Sequence, residues 1–269
     1  MPMTNAAFSI AFLEQNCMTD NTQRFSNRVY DYVRFRPRYP QAVLNILENE
    51  CGLSTDQKIA DIGSGTGFLA ELFLQNGNFV YGVEPNPEMR LAAEDLLRIH
   101  SWFVSVDGTA EATTLRDRCV DWIAAGQAFH WFDRDRTRLE FRRIIKTGGW
   151  VLLVSNNRQR TTAFLRAYER LLEQLGNDYQ NVCHRRISPE ALAGFYSPSG
   201  YKTTMIESHQ DLDWEGLQGR FSSSSYTPER GHPHYEPMIA ELAKVFQAHQ
   251  QNGKVRMDYL TTMHYGHLT

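Results

Sequence analysis

The run KIADI followed by GSGTG is where the sequence first offers chemistry. Gly63, Gly65 and Gly67 stand between a β-forming stretch (58–62) and FLAELFLQNG, whose apolar residues recur at helical spacing. Glycines at such a junction let the backbone turn tightly and approach a bound group closely, and the helix that follows presents its N-terminus to an anion. Ser64 lies inside the same loop. A second β-type stretch, FVYGVE (79–84), ends on Glu84, about 20 residues past the loop, where a carboxylate can accept hydrogen bonds from both hydroxyls of an adenosine ribose. The loop departs from the dinucleotide fingerprint G-x-G-x-x-G: its third glycine comes one residue early, and Phe68 stands where that motif needs glycine.

These residues need a scaffold, and the rest of the chain supplies one. Residues 40–50 carry Val43, Leu44 and Leu47 at helical spacing. Asn86, Pro87 and Glu88 are a cap, a first-turn proline and a first-turn acid, which start a helix. A third strand is expected over 102–106. A fourth, CVDWIAAGQ (119–127), is apolar on both faces, as a central parallel strand should be. Asp133 opens a helix expected to run to Lys146 and to stop at Gly148 and Gly149, before a fifth strand over 150–155. Strands alternating with helices predict an α/β fold with a parallel sheet covered on both faces. After Ser155 the alternation breaks. An amphipathic helix over 162–175, a short helix from Ser188-Pro189-Glu190, late strands near 202–210 and 255–264, and a long loop over 219–233 are expected. Residues 1–17 read as a weakly ordered extension, and 18–269 as a single domain.

The composition narrows the function. The chain has 269 residues, 42% of them hydrophobic, enough for a full core. No long uncharged apolar run predicts a membrane span. A net charge of −3 argues against a protein whose main task is gripping a phosphate backbone, so no stable nucleic-acid partner is expected. Cys17, Cys51, Cys119 and Cys183 form no CxxC pair and fit a reducing, cytoplasmic compartment. His232, His234, His264 and His267 have no Cys or carboxylate completing a ligand spacing, so no metal is assigned.

The segments ADIGSGTG, GVEPN and GQAFHWF, in that order, resemble the class I S-adenosylmethionine-dependent methyltransferases. Within them the chain is similar to the small-molecule branch that includes trans-aconitate and ubiquinone/menaquinone methyltransferases. YDYVRFRPRYP (30–40), GRFSSSSYTP and VRMDYLTTMHYG extend the resemblance over most of the chain from about Met18. It implies a Rossmann-like fold, a mostly parallel seven-stranded sheet with helices on both faces and a small helical cap contributed by about 157–233. It also implies S-adenosylmethionine as cofactor, S-adenosylhomocysteine as product, a small-molecule acceptor, and a monomer or weak dimer.

Carried over residue by residue, Gly63, Ser64, Gly65 and Gly67 would approach the methionine part of the cofactor. Glu84 would hold the ribose, with Pro85 or Asn86 near the adenine. Many relatives have an Asp–Ala pair after the third strand; here DGTAEA puts Thr109 and Ala110 at those places, and a threonine hydroxyl can still hydrogen-bond. Asp107 lies two residues early and reads as structural. Gln127 follows the fourth strand at the carboxyl edge of the sheet, where ligands sit in open α/β folds. In the run 128–132, Phe129 and Phe132 read as core, and Trp131 as part of the transfer chamber. His130 reads either as an acceptor of the nucleophile's proton or as a hydrogen-bonded wall. Tyr30, Arg36 and Tyr39 would fold over the cofactor. Arg36 has the planar donor fork that suits a carboxylate, or is a surface arginine packed on Pro37. The basic residues of 133–146 alternate with Asp133, Asp135 and Glu140, which fits a paired, solvated face better than a nucleic-acid patch. Two further readings stay open at this level: an NAD-dependent oxidoreductase, against which the glycine spacing counts, and a regulatory protein that keeps the fold and the cofactor without turnover.

Overall fold

The computed structural model of the protein describes residues 29–176, 179 and 187–268. Two helices, α1 (Val29–Phe35) and α2 (Ala42–Cys51), precede five parallel strands: β1 (Lys58–Ile62), β2 (Phe79–Val83), β3 (Phe103–Val106), β4 (Val120–Gly126) and β5 (Ile145–Arg158). Parallel neighbours need a crossover, supplied here by α3 (Phe68–Gln75), α4 (Pro87–Leu97) and α5 (Arg134–Ile144). Beyond β5 come α6 (Ala163–Leu175), α7 (Pro189–Tyr196), β6 (Lys202–Leu212), α8 (Trp214–Ser222), α9 (Tyr235–His249) and β7 (Val255–His267). β7 runs antiparallel between β5 and β6, so the sheet order is β3-β2-β1-β4-β5-β7-β6. The seven-stranded, mostly parallel Rossmann-like sheet is as expected. Its strand order reverses between β1 and β4, and a crevice opens there, outside the carboxyl ends of the strands.

Burial follows the strand periodicity. Ile59, Trp122, Ala124, Leu152 and Val154 face one way, against Val43, Leu44 and Leu47 of α2 and Leu69 and Phe73 of α3. Ala60, Ile62, Ile123, Ala125, Val151 and Leu153 face the other way, against Phe141 of α5 and Leu192, Phe195 and Tyr196 of α7. A third core lies apart from these two. There α6, α8 and α9 close over Val255, Met257 and Tyr259 of β7, burying Leu165, Tyr168, Leu172, Leu217, Phe221 and Leu242.

The structure corrects three local readings. The helix expected to reach Lys146 ends at Ile144, and β5 begins at the next residue. The amides of Arg118 and Cys119 take up the carbonyls of Arg143 and Ile144, which ends the helix without a glycine. Gly149 lies inside β5 instead; a Cβ there would stand 2.5 Å from Ile145 Cγ1 and 2.7 Å from the Asp121 carbonyl oxygen. The loop expected over 219–233 is helical at its start, because Asp213 accepts from the Gly216 amide at 2.8 Å and nucleates α8 through Ser222. Its serines are packed rather than loose: Ser223 Oγ donates to the Arg220 carbonyl at 2.8 Å, and Ser222 Oγ lies 2.9 Å from the Tyr235 hydroxyl. Finally, the stretch 157–233 is not all cap. It includes β6, a sheet strand, and α7, which packs under the sheet. The extension expected over 1–17 lies outside the described residues.

The helix α1 leans on α8 at one close point, where a Cβ on Gly219 would overlap the Phe35 ring. Gly219→Val is therefore expected to destabilise the fold by about 1–3 kcal/mol, the usual cost of overpacking. Urea unfolding measures this; a stability equal to wild type would mean that the two helices do not meet this closely.

Candidate active site

Two turns at the carboxyl edge are locked to each other by one side chain. After β1, Gly63, Gly65 and Gly67 take φ values of +65°, +55° and +87°. The amides of Gly63 and Ser64 donate to the Val83 carbonyl at 2.8 and 3.1 Å. Glu84, at the end of β2, accepts from the Gly65 amide through Oε2 at 3.0 Å and from the Asn86 amide through Oε1 at 2.9 Å. Asn86 in turn caps α4, accepting from the amides of Glu88 and Met89. Arg90 Nη1 donates to the carbonyls of Glu84 and Pro85 and pairs with Asp107 at 3.0 Å, so Asp107 is structural, as its position suggested. Burial raises the Glu84 carboxyl above its ordinary range, and the two amides and Arg90 offset part of that.

Around these turns lie two adjoining cavities. The larger, about 280 Å³, is lined by Gly63, Gly65, Glu84, Pro85, Asn86, Thr109, Ala110, Gln127 and Trp131, all anticipated from the sequence, and also by Met89, Glu111 and Phe132. The smaller, about 80 Å³, is lined by Arg36, Tyr39, Asp61, Ser64, Thr66, Asn156 and Arg220. Tyr32, Gly63, Gly65, Gly126 and Gln127 border both. Gly126 is needed here because a Cβ would stand 2.5 Å from the Tyr39 hydroxyl, which crosses the end of β4.

Two anticipated residues, Gly67 and His130, are not among the described residues that line either cavity. Gly67 starts α3, and a Cβ on it would stand 2.7 Å from Leu97 Cδ1, so its smallness serves the approach of α4. His130 sits on a single 3-10 turn (Phe129–Trp131) with its ring centroid 4.8 Å from that of Trp131. Tyr30 is in the first turn of α1, and its side chain lies outside the described residues. Phe129 is core, 3% exposed and 4.6 Å from the Phe195 ring. Arg36 is no surface residue packed on Pro37: it borders the smaller cavity, donates to the Ser223 carbonyl at 2.8 Å and lies over the Tyr32 ring. The basic face of α5 is partly consumed in pairing, with Arg143 on Glu140 and Asp117, as expected. Gln127 holds φ +57°, a conformation that non-glycine residues seldom adopt, fixed by its amide on the Val154 carbonyl and its Nε2 on the Asn156 carbonyl.

Sequence reasoning passed over Asp61, treating it only as a landmark before the loop. The residue is fully buried in β1, and neither carboxylate oxygen has a hydrogen-bond partner. Burial lifts its carboxyl to about 8; the Ala70 amide offsets part of this and the Glu84 charge adds to it. Six buried side-chain polar atoms among the described residues lack a partner, and four of them belong to Asp61, Thr66 and Arg36, around the smaller cavity. Buried polar groups are otherwise nearly always paired, so this concentration marks a place built to receive a polar ligand. An acidic residue at the end of an apolar strand was the available signal. Tyr32, Asn156 and Arg220 had none, because only the tertiary fold brings them to the site.

The glycine turn after β1 and the crevice at the strand-order reversal stand where open α/β folds bind their ligands. A family model for a methyltransferase domain matches residues 60–153. An uncharacterized methyltransferase of Mycobacterium tuberculosis is 34% identical over 196 residues, 72% of this chain and 71% of the relative. One of Schizosaccharomyces pombe is 26% identical over 241 residues, 88% of this chain and 94% of the relative. Among solved structures, a protein described as a type II methyltransferase from Anaeromyxobacter dehalogenans has a TM-score of 0.64 at 23% identity, covering 87% of this chain and 98% of its own. The fold is also similar to that of the Haemonchus contortus phosphoethanolamine N-methyltransferase 2, solved with phosphomonomethylethanolamine and S-adenosylhomocysteine (TM-score 0.53, 16% identity, 95% of this chain and 58% of that one). The chain belongs to the class I S-adenosylmethionine-dependent methyltransferases.

The glycine turn supplies a discriminating pair of variants. A Cβ on Gly65 meets nothing within 4 Å, so Gly65→Ala puts its methyl into the cavity mouth; a Cβ on Gly63 would stand 2.7 Å from Ala128 Cβ. Gly65→Ala is expected to stay folded and to weaken S-adenosylhomocysteine binding by about tenfold or more, while Gly63→Val loses stability first. Calorimetry beside a melting curve checks this; undiminished binding in Gly65→Ala would mean that the ligand does not approach the turn.

Proposed function

We propose that this protein transfers a methyl group from S-adenosylmethionine to a small-molecule acceptor, by in-line displacement at the methyl carbon. The observation that carries the reading is the buried, unpartnered Asp61 carboxylate, in a cavity continuous with the one that Glu84 borders. When bound, the cofactor supplies an already activated methyl on a sulfonium, so the protein's work is to position two reactants and exclude water. Glu84 keeps free lone pairs beyond its two amide bonds and accepts from the ribose hydroxyls. Pro85, Asn86, Thr109 and Ala110 line the adenine end. Asp61 accepts from the ammonium of the amino-acid tail and Arg36 donates to its carboxylate. The cap formed by α6, α8 and α9, with α1 packed against α8, closes the acceptor side; Gln127 stands at the boundary between the two cavities and Trp131 on the larger one. Among the described residues no helix is long and apolar enough to cross a membrane. His130 packs its ring against Trp131, which lines the larger cavity, and so shapes the transfer chamber through that ring.

The Asp61 assignment has a pH signature. Without ligand the carboxyl keeps its proton up to about pH 8, whereas in the unfolded chain it ionises near 3.8. The folded state then binds the extra proton, so this group's contribution to stability declines as pH rises from the ordinary carboxylate range to about 8. Receiving an ammonium requires the ionised form, so S-adenosylhomocysteine binding releases a proton and tightens toward pH 8, by about tenfold per unit at most. Calorimetry across pH, in buffers of different ionisation enthalpy, reads the proton directly. Asp61→Asn is expected to weaken binding and to abolish the proton release; wild-type affinity and linkage in that variant would reject the assignment, and no binding by wild type would reject the cofactor.

A further inference from the structure

Three buried or half-buried guanidiniums converge on Tyr226: Arg36 after α1 and Arg220 in α8, which border the smaller cavity, and Arg158 at the end of β5. All three act on the Tyr226 phenol; burial pushes its pKa up, and Arg158, Arg220 and Arg36 together bring it down to about 7. Arg158 is neutralised by Glu169 at 2.6 Å, which also pairs with Arg160. Arg220 is not. It is 4% exposed, and its partners are neutral hydroxyls, Tyr259 Oη at 3.2 Å from Nε and Ser224 Oγ at 3.1 Å from Nη1. Arg36 has the Ser223 carbonyl and no partner on Nε. Among the described residues neither arginine meets a carboxylate side chain, yet both border the cavity that holds Asp61.

Charge balance then decides the acceptor. The argument rests on the cofactor reading above. The cofactor's amino-acid tail carries one ammonium and one carboxylate. Asp61 matches the first, and one arginine matches the second. Arg36 is assigned to the cofactor side because it lies over the ring of Tyr32, which borders both cavities. Arg220 projects from the cap, anchored to β7 through Tyr259. Among the described residues it has no carboxylate partner, only the Tyr226 phenol that it shares with Arg158 and Arg36, and the sulfonium adds a second positive charge. Buried cations of this kind are normally paired, and a guanidinium fork suits planar or tetrahedral oxyanions. We propose that Arg220 is the anion-recognising group of the acceptor site, and that the methyl acceptor is a small molecule bearing a carboxylate or phosphate.

The test uses S-adenosylhomocysteine-saturated protein and four probes: succinate and glycerol 3-phosphate, with succinamide and glycerol as neutral counterparts. Calorimetry is expected to show saturable binding of at least one oxyanion at millimolar concentration and none of the neutral probes; which oxyanion binds separates carboxylate from phosphate. Arg220→Gln should weaken that binding by tenfold or more and leave S-adenosylhomocysteine affinity within about threefold, whereas Arg36→Gln should weaken S-adenosylhomocysteine itself. Arg220→Lys keeps the charge without the fork, so partial binding is expected if Arg220→Gln proves unstable in a melting curve. The proposal is overturned if neither oxyanion binds, if neutral probes bind equally, or if Arg220→Gln or Arg220→Lys keeps wild-type oxyanion affinity. Failure of wild type to bind S-adenosylhomocysteine would instead reject the underlying cofactor reading.

Discussion

The burial of Asp61 is the constraint around which the rest of this molecule is arranged. A carboxylate sealed into a central strand with neither oxygen partnered is destabilising in isolation, and burial answers by keeping the group protonated up to about pH 8. Glu84, the other acid at this edge, accepts from the amides of Gly65 and Asn86, which holds the two turns in place before any ligand arrives and leaves its remaining lone pairs facing the larger cavity. The same edge therefore contains one acid tied to the backbone and one without a hydrogen-bond partner.

Opposite that acid the cap presents surplus positive charge. The cap is built from its own hydrophobic core, distinct from the two that flank the sheet, and rests on the outer half of β7. Gly219 lets α1 come close enough to α8 for Arg36 to donate to the Ser223 carbonyl. The cap thus carries Arg36 and Arg220 to the cavity as one packed unit. Loosening the α1–α8 contact would move recognition residues without touching the glycine turn, so stability of the cap and geometry of the site are the same property measured in two ways.

How much of this could be read from the sequence follows from how local each feature is. The first five strands, the glycine turn, the cap at Asn86 and the acid at Glu84 declare themselves within a few residues, through periodicity, capping chemistry and strand ends. The end of α5 did not, because the amides that terminate it come from residues 118 and 119 rather than from a following glycine. The helix α8 was hidden by Gly216 and Gly219 and by the serines after it, and α9 went unread altogether. The lining of the larger cavity was legible for the same reason as the strands. That of the smaller cavity was less so: Arg36 was anticipated, but Tyr32, Asn156 and Arg220 reach it only through the tertiary fold, a proximity that no local pattern encodes.

That asymmetry bears on what the fold can specify. The turns after β1 and β2 are dictated by strand geometry and by a ligand that any member of this class must hold, so their residue types are narrowly constrained. The cap is constrained only to pack and to close, and its polar residues are left open to match a substrate. Three arginines gathered around Tyr226, two of them bordering the smaller cavity, with a single carboxylate, Glu169, neutralising the third, are more positive charge than packing requires. Side chains chosen for packing alone would favour apolar residues there, since burying an unpaired guanidinium costs stability. The cost makes physical sense if the missing negative charge arrives with the molecule on which the protein acts.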